Sequence, residues 1–179
     1  MKLEIHPLSH KKASESRLIA LYLASFPPQE RRPADKMLQL ADDPESPLSV
    51  NVIETDGQFA GLINLWEFPD FIYIEHFATL HNLRGLGLGT ATLDAIKSRY
   101  TKPILLEIEM PESSAMAARR LEFYRRNGFR PIWDIKYIQP PYSPELPSMP
   151  LLLMSTGDID PRQASSTLHK EVYGVREDT

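Results

Sequence analysis

The sequence contains no cysteine, which removes disulfides, thiolate metal sites and a cysteine nucleophile together. It has no apolar run approaching the roughly 20 residues that cross a bilayer, so no membrane segment is expected. The opening Met1-Lys2-Leu3-Glu4-Ile5-His6 lacks the apolar core of a secretory signal. Together these absences predict a cytoplasmic chain. An excess of basic charge is missing as well. A formal net charge of −4 offers no chain-wide field for nucleic acid, and mild acidity suits a cationic partner. Internal repeats and low-complexity tracts are also absent.

What is present is the composition of a globular domain: 179 residues, 42% hydrophobic and 25% charged. Sixteen prolines cluster around 27–47 and 131–150 and mark stiff loops there. Periodicity predicts a first strand over 2–6, a helix over 14–26 with Ser14 as N-cap, and a short helix over 33–41. Strands over 48–55, 59–68 and 71–79 then form an antiparallel meander, with Asp56-Gly57 as a hairpin turn. After it the pattern becomes α/β: a helix over 90–100, a strand over 103–110, a helix over 114–127 ended by Gly128, strands over 129–138 and 151–155, and a terminal helix over 161–174.

Gly85, Gly87 and Gly89 alternate directly before the helix that follows the meander. Without side chains the backbone can approach a ligand closely. The first N–H groups of a helix lack internal partners and favour anions, so a pyrophosphate is the natural guest, with Arg84 adding a cation at the entrance. A P-loop would need a lysine that is missing here. The dinucleotide fingerprint would need a third glycine where Thr90 stands. Glu107 does lie about 20 residues on, where a ribose-binding acid would sit. An antiparallel meander at the start of the chain argues against that fold. A helix entry that uses glycine only for tight packing is the plain alternative.

The stretch Phe77-Ala78-Thr79-Leu80-His81-Asn82-Leu83-Arg84-Gly85-Leu86-Gly87-Leu88-Gly89-Thr90 resembles the signature of the GNAT N-acetyltransferase superfamily, a strand end followed by Arg/Gln-x-x-Gly-x-Gly/Ala. Arg84, Gly87 and Gly89 stand at its fixed positions; Thr79 replaces a usual valine. A second segment, Phe123-Tyr124-Arg125-Arg126-Asn127-Gly128-Phe129, is similar to the family's helix-ending aromatic-Tyr-x-x-x-Gly-Phe. Both occur in the family's order. The resemblance covers residues 1–156 and leaves 157–179 as a C-terminal extension, expected to be helical. It implies an α/β (α+β) acyl-CoA N-acyltransferase fold, with a mixed central sheet of about seven strands flanked by about four helices.

The resemblance also implies roles. The backbone of Gly85, Leu86, Gly87, Leu88, Gly89 and Thr90, with Arg84 beside it, would hold the pyrophosphate of acetyl-CoA. The main chain of Phe77, Ala78 and Thr79 would pair with the pantetheine arm. The strands carrying Glu75 and Glu107 would splay around the acyl group. Tyr124 matches the family tyrosine that serves the departing thiolate.

Amine acetylation needs a proton removed from an amine of pKa about 10.4, and tolerates a thiol of pKa about 8.5 as leaving group. Glu75 is the first candidate base, because a carboxylate in so apolar a strand needs a use or a partner. An arginine partner would make it structural instead. Strict alternation places Tyr73, Glu75 and Phe77 on one face and His76 on the other, where a satisfied core histidine is expected. Glu107 and Glu109 share one side of the next strand and could anchor a cationic substrate, as could Trp66 at the end of its strand. The 26–36 segment and the Pro140-Pro141-Tyr142 loop are candidate walls of an acceptor site. The acidic pair Glu107 and Glu109 has no ligand-forming company, so no metal is expected.

The expected function is therefore acetyl transfer from acetyl-CoA to a primary amine of a small molecule or protein. Attack would be direct in a ternary complex, since no cysteine offers a covalent relay. A non-catalytic acyl-CoA sensor of the same fold and a dinucleotide oxidoreductase are the competing readings. A homodimer stays open.

Overall fold

The computed structural model describes residues 1–175. Its elements fall into two compact units, Met1–Thr101 and the chain from Lys102 onward. The first contains four antiparallel strands in chain order: β1 (Leu3–Pro7), β2 (Leu48–Thr55), β3 (Gln58–Glu67) and β4 (Ile72–Thr79). Asp56 and Gly57 close the β2–β3 hairpin with φ of 49° and 77°. This is the mirror-image turn whose twist suits flanking strands.

Helices α1 (Glu15–Ser25) and α2 (Ala34–Asp42) lie between β1 and β2 in sequence, and α3 (Leu88–Arg99) follows β4. Leu18 and Tyr22 of α1, Met37 of α2, and Leu93 and Ile96 of α3 are buried with Val52, Ile53, Leu62, Ile63 and Ile72 of the strands. Apolar positions four apart in α1 and three apart in α3 thus supply their core faces, while Met37 alone does so for α2. Ser14 does not cap α1 as expected. It sits in helical conformation at the end of a 3-10 turn, Lys12–Ser14, that runs straight into the helix, so its side chain makes no capping bond.

Two irregularities shape the meander. Between β3 and β4 the register steps from Asn64↔His76 to Leu65↔Ile74, leaving Glu75 as the extra residue of a bulge. Strict period-two alternation therefore does not run through this strand, and the faces assigned from it break at Glu75. Opposite Thr79 stands Gly61, where a Cβ would lie 2.4 Å from the Ala78 carbonyl oxygen. Only glycine lets β3 approach the end of β4 so closely.

The second unit contains β5 (Ile104–Glu109), α4 (Ala115–Arg126), β6 (Arg130–Gln139), β7 (Met149–Ser155) and α5 (Pro161–Thr167). Its strands are antiparallel in the order β5-β7-β6. Ser114 caps α4 by accepting from the Ala117 N–H at 3.0 Å. At the other end, Gly128 (φ 87°) donates to the Arg125 carbonyl and Phe129 to that of Tyr124, both at 3.0 Å. These paired bonds form a Schellman stop, as the glycine predicts.

Beyond α5 the chain widens into a π-helical turn, Leu168–Val172. The expected terminal helix is therefore present, in two geometries. Ala164, Leu168 and Val172 are buried, and this segment clusters with the second unit. Residues 176–179 of the expected extension lie outside the described residues. Among the described residues, no helix is long and apolar enough to cross a membrane.

Candidate active site

The glycine turn opens α3 two residues earlier than the sequence suggests. Gly85 and Gly87 take φ of 82° and 77°, and Gly87 is the left-handed N-cap. Nothing lies within 4 Å of where a Cβ would stand at either position. The glycines are therefore required by backbone conformation, and the space above them is open. The first bond of the helix runs from the Ala91 N–H to the Gly87 carbonyl. This leaves the N–H groups of Leu88, Gly89 and Thr90 at the positive end of a helix of 12 residues. Arg84, Leu86 and Gly87 are exposed while Leu88 anchors the turn in the core. A doubly charged pyrophosphate fits this cradle: exposed, lined by main chain, with a cation at its mouth.

Upstream, Phe77, Ala78 and Thr79 end β4 and are only partly buried. Their main chain pairs with Ile63, Leu62 and Gly61 of β3, and Leu80 donates to the Ala60 carbonyl at 2.8 Å. Gly61 therefore helps place the proposed pantetheine-pairing segment. Sequence reading passed over it, although an isolated glycine inside a strand pattern is the signal for such an approach.

Glu75 is placed differently from a free base. Its side chain is 1% exposed. Oε1 accepts from the Trp66 indole N–H at 2.8 Å, and Oε2 from the Arg32 guanidinium. The residue as a whole is less buried than that side chain, so what Glu75 shows to solvent is the main chain of the bulge. The carboxylate has the arginine partner that would make it structural. Its charge is neutralised and both oxygens are engaged.

Trp66, expected against an acceptor, is 2% exposed. It lies under the Arg32 guanidinium, whose central carbon is 5.5 Å from the ring centre, and stacks on Phe68. Its indole is part of the buried support for Glu75 and Arg32 and does not form an open wall. Burial of Trp66 and Glu75 together follows from the need to hydrogen-bond both once they are out of water.

The same support holds the 26–33 segment. The Tyr22 hydroxyl donates to the Arg32 carbonyl at 2.8 Å, His76 Nε2–H to the Glu30 carbonyl at 2.9 Å, and Arg31 Nε to the Phe26 carbonyl at 2.6 Å. His76 packs edge-on to Phe26 and Tyr22, at 4.6 and 5.1 Å between ring centres. Burial lowers its pKa, with the nearby Glu75 charge opposing, so it is a neutral core histidine that locks a loop. His76 is thus the satisfied core histidine the sequence leads one to expect, whereas the pairing of Arg32 with Glu75 and of Tyr22 with the Arg32 carbonyl has no signal in the sequence. His76 meets Glu30 and Arg32 meets Glu75 across more than 40 residues, and Tyr22 reaches Arg32 across ten.

In the second unit, Tyr124 sits near the end of α4, its ring edge-on to Phe123 and Phe129 at 5.1 and 5.5 Å. Desolvation pushes its phenol up to about 12, with a smaller opposing effect from Arg120. It carries its proton at any physiological pH. Glu107 and Glu109 diverge in role. Glu107 accepts from the Tyr173 hydroxyl at 2.7 Å. Glu109, 34% exposed, pairs with Arg120 at 3.3 Å. Glu109 thus forms a surface ion pair of small energetic weight.

A three-residue group of possible metal ligands, Glu4, His6 and Glu54, also forms at the β1–β2 edge. Lysine ammonium groups already stand 3.0 Å from two of its members, Lys2 on Glu4 and Lys11 on Glu54.

Comparison with known proteins places these features in a family. Residues 16–129 match the acetyltransferase (GNAT) family. A GNAT-family protein of Bacteroides thetaiotaomicron is 34% identical, with a TM-score of 0.87 over 98% of this chain and 100% of that one. YjbC of Bacillus subtilis, which carries the name of an acetyltransferase, is 36% identical over 72 residues. That match spans 40% of this chain and 37% of YjbC. The fold extends to Arabidopsis thaliana Naa50, solved with the bisubstrate analogue CoA-Ac-MVNAL, at 17% identity and a TM-score of 0.60 over 88% of this chain and 100% of that chain. With a glycine cradle at the head of α3, a bulged β4 before it, and a family match over most of its length, the chain belongs to the GNAT family of acetyltransferases.

Proposed function

We propose that this protein transfers an acetyl group from acetyl-CoA to a primary amine, by direct attack of the amine on the thioester. The observation that carries the reading is the left-handed pair Gly85 and Gly87, which turns the unpaired N–H groups of Leu88, Gly89 and Thr90 outward at the head of α3. The pyrophosphate of acetyl-CoA binds there with Arg84, and the pantetheine arm runs along the main chain of Phe77, Ala78 and Thr79.

In the reaction a nitrogen–carbon bond forms at the acetyl carbonyl and the carbon–sulfur bond breaks. The amine must first lose a proton. Glu75 is held by Trp66 and Arg32, so we assign it the role of a fixed counter-charge, and the proton leaves through water. Main-chain N–H groups stabilise the oxyanion. Tyr124 serves the sulfur. A phenol near 12 does not readily surrender its proton to a thiolate whose acid ionises at about 8.5, so it acts by donating a hydrogen bond to the leaving sulfur. Glu107 receives the cationic end of the acceptor.

Calorimetric titration with acetyl-CoA, beside NADH and ATP, tests the cradle. Micromolar binding of acetyl-CoA alone is expected, followed by thiol release when amines are supplied. Binding without release for any amine would favour the acyl-CoA sensor. Preference for NADH would overturn the reading.

A further inference from the structure

The family match ends at residue 129, yet a side chain well beyond it reaches into β5. The hydroxyl of Tyr173 donates to Glu107 Oε1 at 2.7 Å and accepts from Gln139 Nε2 at 2.9 Å. The phenol has one proton to give, and these two bonds fix where it goes: the amide occupies the oxygen's lone pair and directs the O–H at the carboxylate. The 2.7 Å distance is ordinary for an O–H···O bond. Tyr173 is itself held. Its ring stands edge-on to Tyr142 at 5.2 Å, its N–H donates to the Leu168 carbonyl at 3.1 Å, and the His169 ring behind it bonds the Ile138 carbonyl at 2.9 Å. Leu168 and Val172 are buried on either side of the π-helical turn. A π-turn sets side chains at a different angle from a regular helix, and here the change of pitch leads directly into Tyr173.

We propose that Tyr173 is a positioning residue for acceptor selection: the C-terminal segment aims the Glu107 carboxylate at the cationic group of the amine. The inference rests on the acetyltransferase reading and on Glu107 as the acceptor's counter-ion. It places part of the specificity in a segment outside the family's common core.

The test is steady-state kinetics of the full chain with wild type, Tyr173→Phe, Glu107→Gln and the double variant, using the best amine from a panel and an uncharged arylamine. Phenylalanine keeps the ring contact with Tyr142 and loses only the hydrogen bonds. A bond to a charged group predicts that Tyr173→Phe raises KM for the cationic amine about tenfold, with KM for acetyl-CoA held within about twofold. The arylamine should be little affected. In the Glu107→Gln background the same substitution should add little, because no charge remains to aim. An unchanged amine KM, equal losses for charged and uncharged acceptors, a parallel rise for acetyl-CoA, or full additivity would each overturn the positioning role while leaving the activity intact. Wild type that acetylates no amine would remove the underlying reading instead, and this inference with it.

Discussion

Glu75 and Arg32 stand 43 residues apart in sequence and meet as a buried ion pair beneath the 26–33 segment. Removing one partner strands the other charge in a site with little water. Glu75→Gln should cost about 3–5 kcal/mol of stability, and Arg32→Gln a comparable amount. Combining them should recover part of the loss, because neither charge is then left alone. Chemical denaturation of the three variants measures this. A free catalytic base would show the opposite pattern, with Glu75→Gln folding as stably as wild type while turnover collapses.

The glycine cradle and the β3–β4 approach can be separated by two alanines. Gly87→Ala meets no neighbour but must hold φ near 77°, a conformational cost of about 1 kcal/mol. Gly61→Ala has ordinary freedom of φ but drives a methyl to 2.4 Å from the Ala78 oxygen. Both should weaken acetyl-CoA binding by calorimetry. Gly61→Ala should also destabilise the fold by more than Gly87→Ala, since strand backbone must move. Unchanged affinity in both would dissociate these positions from the cosubstrate.

Tyr124→Phe should lower kcat by about a hundredfold if the phenol's hydrogen bond stabilises the charge developing on the sulfur, with acetyl-CoA affinity nearly unchanged. Because the phenol ionises only near 12, no loss of rate from its ionisation should appear at mildly alkaline pH. A phenylalanine variant as fast as wild type would reduce Tyr124 to a packing residue against Phe129.

Stability should depend on pH through His76. Burial lowers its pKa below the unfolded value of about 6.5, so the unfolded chain binds the proton more readily than the folded one. The contribution is full above about 6.5 and is lost as pH falls through the lower folded value. Denaturation midpoints should fall over that acidic range, and His76→Gln should flatten the slope there. An unchanged slope would place the sensitivity elsewhere.

Local chemistry made most of the architecture legible. Asp56-Gly57, the apolar rows of α1 and α3, Gly128 and the glycine turn each state their conformation within a few residues. The ligand class proposed for the glycine turn rests on equally local properties, free N–H groups and an open approach. The side-chain environment of the site was less accessible. That a carboxylate in so apolar a strand needs either a catalytic use or an arginine partner is a local property of the Glu75 segment. That the arginine is Arg32, and that Trp66 shares the carboxylate, depends on a bulge that alternation alone does not contain. The separate fates of Glu107 and Glu109 likewise follow from Tyr173 and Arg120, which sit in other elements. Ser14 failed as a cap for a local reason: a preceding 3-10 turn had already supplied the helical conformation.

The 26–33 segment is gripped by its carbonyls, at Phe26, Glu30 and Arg32, and two of the three groups that hold them, Tyr22 and His76, belong to neighbouring elements. A carbonyl is common to every residue type. Substitution at Pro28 or Gln29 can therefore change the side chains this loop presents without releasing its path, and if the loop walls the acceptor site, directed evolution can vary that wall on a constant frame.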